Sequence, residues 1–220
     1  MDVDNLKNAL AGVMRGEVSD DAETLKGASR DTSLFERMPE LVVYPEDAND
    51  VSAIVREVQG LRGKGQEISL AARSAGTDMS GGPLTTGVVV SFIKHMNKMG
   101  PVRQAQGEEA GYAVTEPGVF YRDFEKATLA KGLILPSYPA SREIAAMGGI
   151  VANNAGGERT LKYGKTEKYV EELDVVLSDG SQTKFKSLTP EEVADKKKLN
   201  TLEGSIYREM DVLLTQTPRS

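Results

Sequence analysis

Two runs of small residues hold the chemistry available to this chain. The first is Arg73-Ser74-Ala75-Gly76-Thr77-Asp78-Met79-Ser80-Gly81-Gly82. The second is Gly148-Gly149-Ile150-Val151-Ala152-Asn153-Asn154-Ala155-Gly156-Gly157, followed by Tyr163-Gly164. Each begins where an apolar, strand-like run stops. Glycine has no Cβ and adopts positive φ freely, so bare backbone N–H groups can crowd around a large anion there. Successive N–H groups in such turns form a concave nest that favours phosphate. Ser74 and Thr77 add hydroxyl donors, and Asn153 and Asn154 add amide donors for a heterocycle edge or a phosphate oxygen. Alone, the first run reads equally well as a wide turn between strands. The two together predict a ligand with two ends, such as a dinucleotide.

Other sites are excluded by residue type or spacing. No window has the G-x-G-x-x-G of a Rossmann fold. Gly164-Lys165-Thr166 looks like the tail of a P-loop, but Arg159 stands where that motif needs glycine. His95 is the single histidine and has no companions for a triad or a metal site, so it reads as a surface residue. With no cysteine there is no disulfide, thiolate nucleophile, cysteine-bound metal or cysteinyl flavin link. The adjacent acidic pairs Glu108-Glu109, Glu171-Glu172 and Glu191-Glu192 point apart and read as solvated. No metal site is expected.

The chain has 220 residues, 39% of them hydrophobic and 27% charged, as in an ordinary globular protein. A net charge of −6 argues against general nucleic-acid binding, which leans on a basic surface. Local dipoles must therefore hold any phosphate. The acidic start, Met1 to Val18, is not a secretory signal. No window approaches the ~18 apolar residues of a membrane span. A soluble cytoplasmic protein is expected.

The glycine runs need a frame of strands and helices. Val3, Leu6, Leu10, Val13 and Met14 recur at helical spacing up to Gly16. Asp20 to Glu36 reads as loop-rich. Leu41–Tyr44 is a short buried strand, and Asp47 with Asp50 heads a helix marked by Val51, Ile54, Val55, Val58 and Leu61. Ile68–Ala72 is a strand feeding the first run, and Val88–Phe92 is one buried on both faces. Phe124, Ala127 and Leu129 mark a helix closed by Gly132. Val170–Leu177 reads as a core strand, with Asp179-Gly180 turning it into Gln182–Phe185. Thr189 to Asn200 reads as irregular, and Ile206, Met210, Leu213 and Leu214 as a last amphipathic helix. At least seven strands mixed with helices predict an α/β or α+β fold.

The order of these features resembles a known family. Pro45, the helix headed by Asp47, Arg73 to Thr77, Glu116-Pro117-Gly118-Val119, Pro136, Ala145 to Gly149, Asn153 to Gly157, Tyr163-Gly164 and Leu173 to Gly180 follow one another as in it. They are similar to the FAD-binding domain of the vanillyl-alcohol oxidase and p-cresol methylhydroxylase superfamily. The nearest group is that of the glycolate oxidase flavoprotein subunit and D-lactate dehydrogenase. The resemblance runs from Asp31 to Leu214.

It implies an α+β fold in which two subdomains hold FAD between them, and no cap domain within this chain. Residues 1–30 would be an N-terminal helix and lead-in, 31–110 the first subdomain with its pyrophosphate loop, and 111–220 the second. Cofactor contacts would come from Arg73, Ser74, Ala75, Gly76, Thr77, Asp78, Gly81 and Gly82 in the first run. Pro136 and Ser141 would precede the second run, which would supply Ala146, Met147, Gly148, Asn153, Gly156 and Gly157. Tyr163, Gly164 and Val170 would complete the set, with Val170 near the adenine end. Some relatives attach flavin to a histidine where Thr77 stands here, so the FAD would be non-covalent. Ala146 replaces a hydroxyl or histidine common in relatives.

The implied activity is oxidation of a small-molecule 2-hydroxy acid, such as D-lactate or glycolate, with hydride passing to the flavin. Relatives keep their general base in a cap domain, so no catalytic residue is assigned here. A cap-bearing subunit or self-association would supply the rest, with Met147 and Ile150 partly uncovered around the second run. The alternatives are a non-catalytic flavin-binding module and a protein like UDP-N-acetylenolpyruvoylglucosamine reductase.

Overall fold

The chain opens with α1 (Val3–Val13), capped by Asp2, whose carboxylate accepts the Asn5 amide at 2.8 Å. Its Leu6 and Leu10 are buried, each contributing about 2 kcal/mol to the fold. They pack on a four-stranded sheet made of β1 (Glu17–Ser19), β2 (Leu41–Tyr44), β3 (Leu70–Arg73) and β4 (Val88–Ser91), in the order β1-β2-β4-β3. β1 is antiparallel to β2, while β2 and β3 both run parallel to β4. These coordinates are a computed structural model that describes residues 2–104 and 110–216. Glu108-Glu109 and the tail Thr217–Ser220 lie outside the described residues.

The strand period of two sorts the central residues onto two faces. Leu41, Val43, Val88 and Val90 face α1 and α3 (Ala48–Gly63), which brings Ile54, Val58 and Leu61. Val42 and Val89 face the other way, onto Ala28 and Leu25 of α2 (Ala22–Ala28). Both faces of β4 are covered, as its unbroken apolar run requires. Helix α2 corrects the expectation of a loop over Asp20 to Glu36. Asp21 caps it by accepting the Thr24 amide, but only Ala28 is fully buried, so the helix leaves little periodic signal.

Asp47 caps α3 as expected, accepting the amides of Asn49 and Asp50. Asp50 does more than begin the helix. Its buried carboxylate accepts the amides of Glu46 at 2.9 Å and of Arg15 and Gly16 at 3.1 Å. Burial raises its pKa, but these three amides and the Arg15 guanidinium outweigh burial and hold it below the ordinary aspartate value. A lowered folded pKa gives stability that is complete above the unfolded pKa and is lost as pH falls through the folded one. Asp50→Asn should therefore lose about 2 kcal/mol at neutral pH, and less in acid. Urea unfolding at both pH values measures this; an equal effect at each would contradict it.

A second buried cluster gathers Val119, Tyr121, Phe124, Tyr138, Ala145, Met147, Ile150 and Ala155. It is built on α4 (Tyr121–Leu129) and α5 (Met147–Ala152). Gly132, at φ +72°, closes the end of α4, with the Leu133 amide reaching back to the Thr128 carbonyl. The Tyr121 hydroxyl donates to the Leu135 carbonyl at 2.9 Å. A small hairpin, β5 (Arg103–Gln104) with β6 (Gly111–Tyr112), and α6 (Thr160–Tyr163) with a 3-10 turn (Thr166–Tyr169) complete the unit Met1–Val170.

Glu171–Ser220 forms a second compact unit. In it β7 (Glu172–Val176) and β8 (Gln182–Lys186) make a hairpin turned at Gly180, φ +75°. The expected core strand is only half right. Among the described residues β7 pairs only with β8, and its first three residues are exposed. Thr189 to Asn200 is not irregular. Thr189 and Glu192 form a reciprocal capping box, Pro190 sits in the first turn, and Lys196, Lys197 and Lys198 close α7 (Pro190–Lys198). Helix α8 (Leu202–Gln216) follows. No described helix is long and apolar enough to cross a membrane.

Candidate nucleotide site

β3 ends at Arg73, and the first glycine run leaves the sheet there. Gly76 sits at φ +67°, a conformation that favours glycine. Below it lies the Arg73 guanidinium, in contact with the position a Cβ on Gly76 would take. Arg73 Nη2 donates to the Arg30 carbonyl at 2.8 Å, while its Nη1 is buried without a partner among the described residues. Burial lowers the Arg73 pKa, opposed by the charge of Asp31. The far end of the run is tied internally. Asp78 accepts the Ser80 hydroxyl and the Gly82 amide, both at 2.7 Å, and these hold its carboxyl below the usual range. The Gly81 amide donates to Asp31 at 3.0 Å.

The second run begins as helix rather than loop, since Met147 to Ala152 is α5. That corrects the expectation that Met147 and Ile150 are partly uncovered. The helix turns both inward, to 7% and 2% exposure. Ala146 is buried and bridges Phe120 through the backbone. The Met147 amide donates to the Val119 carbonyl at 2.8 Å. Asn153 ends the helix exposed, whereas Asn154, at φ +44°, is used structurally and pairs with Glu167 through both ends of its amide. Gly157 packs against the Tyr138 backbone, and its amide donates to Thr160 at 2.7 Å.

The two runs meet at Pro117. The Ser74 hydroxyl donates to the Pro117 carbonyl at 3.0 Å, and the Gly148 amide donates to the same oxygen at 2.9 Å. No Cβ fits at Gly148. It would stand 2.6 Å from the Pro117 Cβ and 2.7 Å from the Ser74 Oγ. Beside this junction, the amides of Ala75, Gly76, Thr77 and Gly149 donate to no other protein group among the described residues. Unpaired N–H groups beside a half-buried guanidinium suit a polyanion. The residues therefore fit the pyrophosphate of FAD.

Other expected site residues lie around the second cluster. Pro136 is buried, and the Ser141 carbonyl accepts the amides of Ile144 and Ala145 at 2.9 Å. Gly156 lies against Thr160. The Tyr163 carbonyl accepts the Tyr169 hydroxyl, Gly164 adopts φ +81°, and half-buried Val170 follows the 3-10 turn. His95 is part-exposed at the surface, and its Nε2 lies 3.0 Å from Glu17. Sequence reading missed Arg30, Asp31 and Thr32 as supports of the first run, although Asp31-Thr32-Ser33 has the composition of a turn.

The profile of a family described as an FAD binding domain matches residues 39–186. Glycolate oxidase subunit GlcD of Bacillus subtilis is 35% identical over 150 residues, 68% of this chain and 30% of that protein. D-2-hydroxyglutarate dehydrogenase of Pseudomonas putida is 31% identical over 168 residues, 76% of this chain and 16% of that protein. The chain thus spans less than a third of the length of either relative. An alkyldihydroxyacetonephosphate synthase structure covers 88% of this chain with a TM-score of 0.67 at 18% identity, which shows a shared fold.

Proposed function

Because this chain belongs to the FAD binding domain family, we propose that it is the cofactor-holding part of a flavin-dependent oxidoreductase acting on a 2-hydroxy acid. The junction at Pro117 carries the reading. It joins two glycine runs by one carbonyl and leaves unpaired amides from both beside it. Ala75, Gly76 and Thr77 would bind the pyrophosphate, and Gly149 with Asn153 would face the rest of the dinucleotide. Arg73 would balance phosphate charge from below, while the bond from Ser74 to Pro117 keeps the two runs in register. FAD held by these residues would supply the redox chemistry, as an acceptor of hydride.

The relatives named above support this substrate class. Anaerobic mixing of the FAD-loaded chain with D-lactate, glycolate and D-2-hydroxyglutarate tests it. Bleaching of the flavin by any of them supports an oxidase or dehydrogenase. A bound flavin that none of them bleaches favours the second reading, a binding module completed by a cap-bearing partner or a second copy. We infer a cytoplasmic protein, supported by the absence of cysteine and of a described membrane-length helix.

The cofactor should be held without a covalent bond. Thr77 is a poor nucleophile, and there is no cysteine to replace it. Acid precipitation should leave yellow flavin in the supernatant. Flavin that stays with the washed pellet would contradict this.

A further inference from the structure

The first glycine run is held from outside, by residues upstream of the matched domain. Arg73 Nη2 donates to the Arg30 carbonyl at 2.8 Å and reaches the Gly27 carbonyl at 3.5 Å. The Thr32 amide donates to the Asp78 carbonyl at 3.1 Å. Its hydroxyl lies 3.1 Å from the Thr77 carbonyl and 2.9 Å from that of Asp78. Asp31 takes the Gly81 amide with one carboxylate oxygen and the Ser33 amide with the other. These contacts grip the start, middle and end of the run. The grip is anchored, because Ala28 within the same stretch is buried against Val42 and Val89 of the sheet.

We infer that Gly27–Thr32 is a clamp that sets the first glycine run in its binding shape before FAD arrives, with Thr32 and Asp31 as positioning residues. Two physical effects support it. Carbonyl oxygens repel phosphate, and Thr32 draws those of Thr77 and Asp78 to itself. A trans peptide points its N–H opposite its C=O, so holding the Thr77 carbonyl also fixes the direction of the Asp78 amide. In addition, a glycine-rich segment loses much backbone entropy when it orders. Ordering it in advance removes that loss from the binding step and tightens affinity. None of the clamp residues needs to touch the ligand.

The clamp rests on the FAD reading, and the test separates the two. The full chain is compared with Thr32→Val, Thr32→Ser and Asp31→Ala by FAD titration and by hydrogen exchange without cofactor. Thr32→Val keeps the shape and removes the hydroxyl. It should weaken FAD about tenfold and speed exchange of residues 74–82, with exchange in β2 and β4 unchanged. Asp31→Ala should act in the same direction, and Thr32→Ser should restore both properties. Unchanged affinity in Thr32→Val and Asp31→Ala, beside a binding wild type, overturns the clamp alone. Exchange that rises equally across the sheet marks a general structural role and also overturns it. A wild type that does not bind FAD overturns the function and the clamp together.

Discussion

Gly76→Val should abolish FAD binding while leaving the sheet folded. At φ +67° a β-branched residue is strained by roughly 1–2 kcal/mol or more. Its Cβ would also occupy the space of the Arg73 guanidinium. Arg73 must then leave the Gly27 and Arg30 carbonyls, and the amides of Ala75 to Thr77 lose both their curvature and the charge beneath them. The expected loss is at least about 100-fold in affinity, the equivalent of some 3 kcal/mol. Flavin titration with far-ultraviolet circular dichroism measures both parts. Unchanged affinity would show that the run is only a turn.

Gly148→Val should be worse, since it acts on stability and on binding together. The added side chain would start 2.6 Å from Pro117 and 2.7 Å from the Ser74 hydroxyl. Overpacking of this kind costs about 1–3 kcal/mol. Moving α5 away also breaks the Gly148 to Pro117 hydrogen bond, worth about 1 kcal/mol more. We expect about 3 kcal/mol of lost stability and no measurable FAD binding. Gly12→Ala is the comparison, because nothing lies within 4 Å of its added Cβ and it sits in α1. It should be neutral or stabilising by up to about 1 kcal/mol. Equal melting temperatures for the two variants would contradict the tight junction.

Features with a local cause were legible in the sequence. Asp47 heads α3, Val88 to Ser91 fills a two-sided core, and Asp179-Gly180 turns the β7–β8 hairpin because a few adjacent residues decide each. The capping box of Thr189 and Glu192 was equally local and was overlooked in a charged stretch. Features set by distant partners were not legible. Helix α2 forms against Val42 and Val89, and its isolated sequence has little apolar pattern. The glycine positions were recognised, but their reasons differ from those expected. Gly76 makes room for Arg73, Gly148 for Ser74 and Pro117, and Gly157 for Tyr138. Much of the close approach is protein against protein, which shapes the run before any ligand is considered. The amides of Gly81, Gly82 and Gly157 are likewise taken by Asp31, Asp78 and Thr160.

We propose that unpaired amides beside the Pro117 junction hold the pyrophosphate of FAD. Equilibrium titration of the purified chain with FAD and with riboflavin, which carries the ring but no phosphate, tests it most directly. Saturable binding of one FAD per chain is expected, at least about 100-fold tighter than riboflavin, because the phosphates meet the unpaired amides and the ring alone does not. Failure to bind FAD, or equal affinity for the two, would contradict the account.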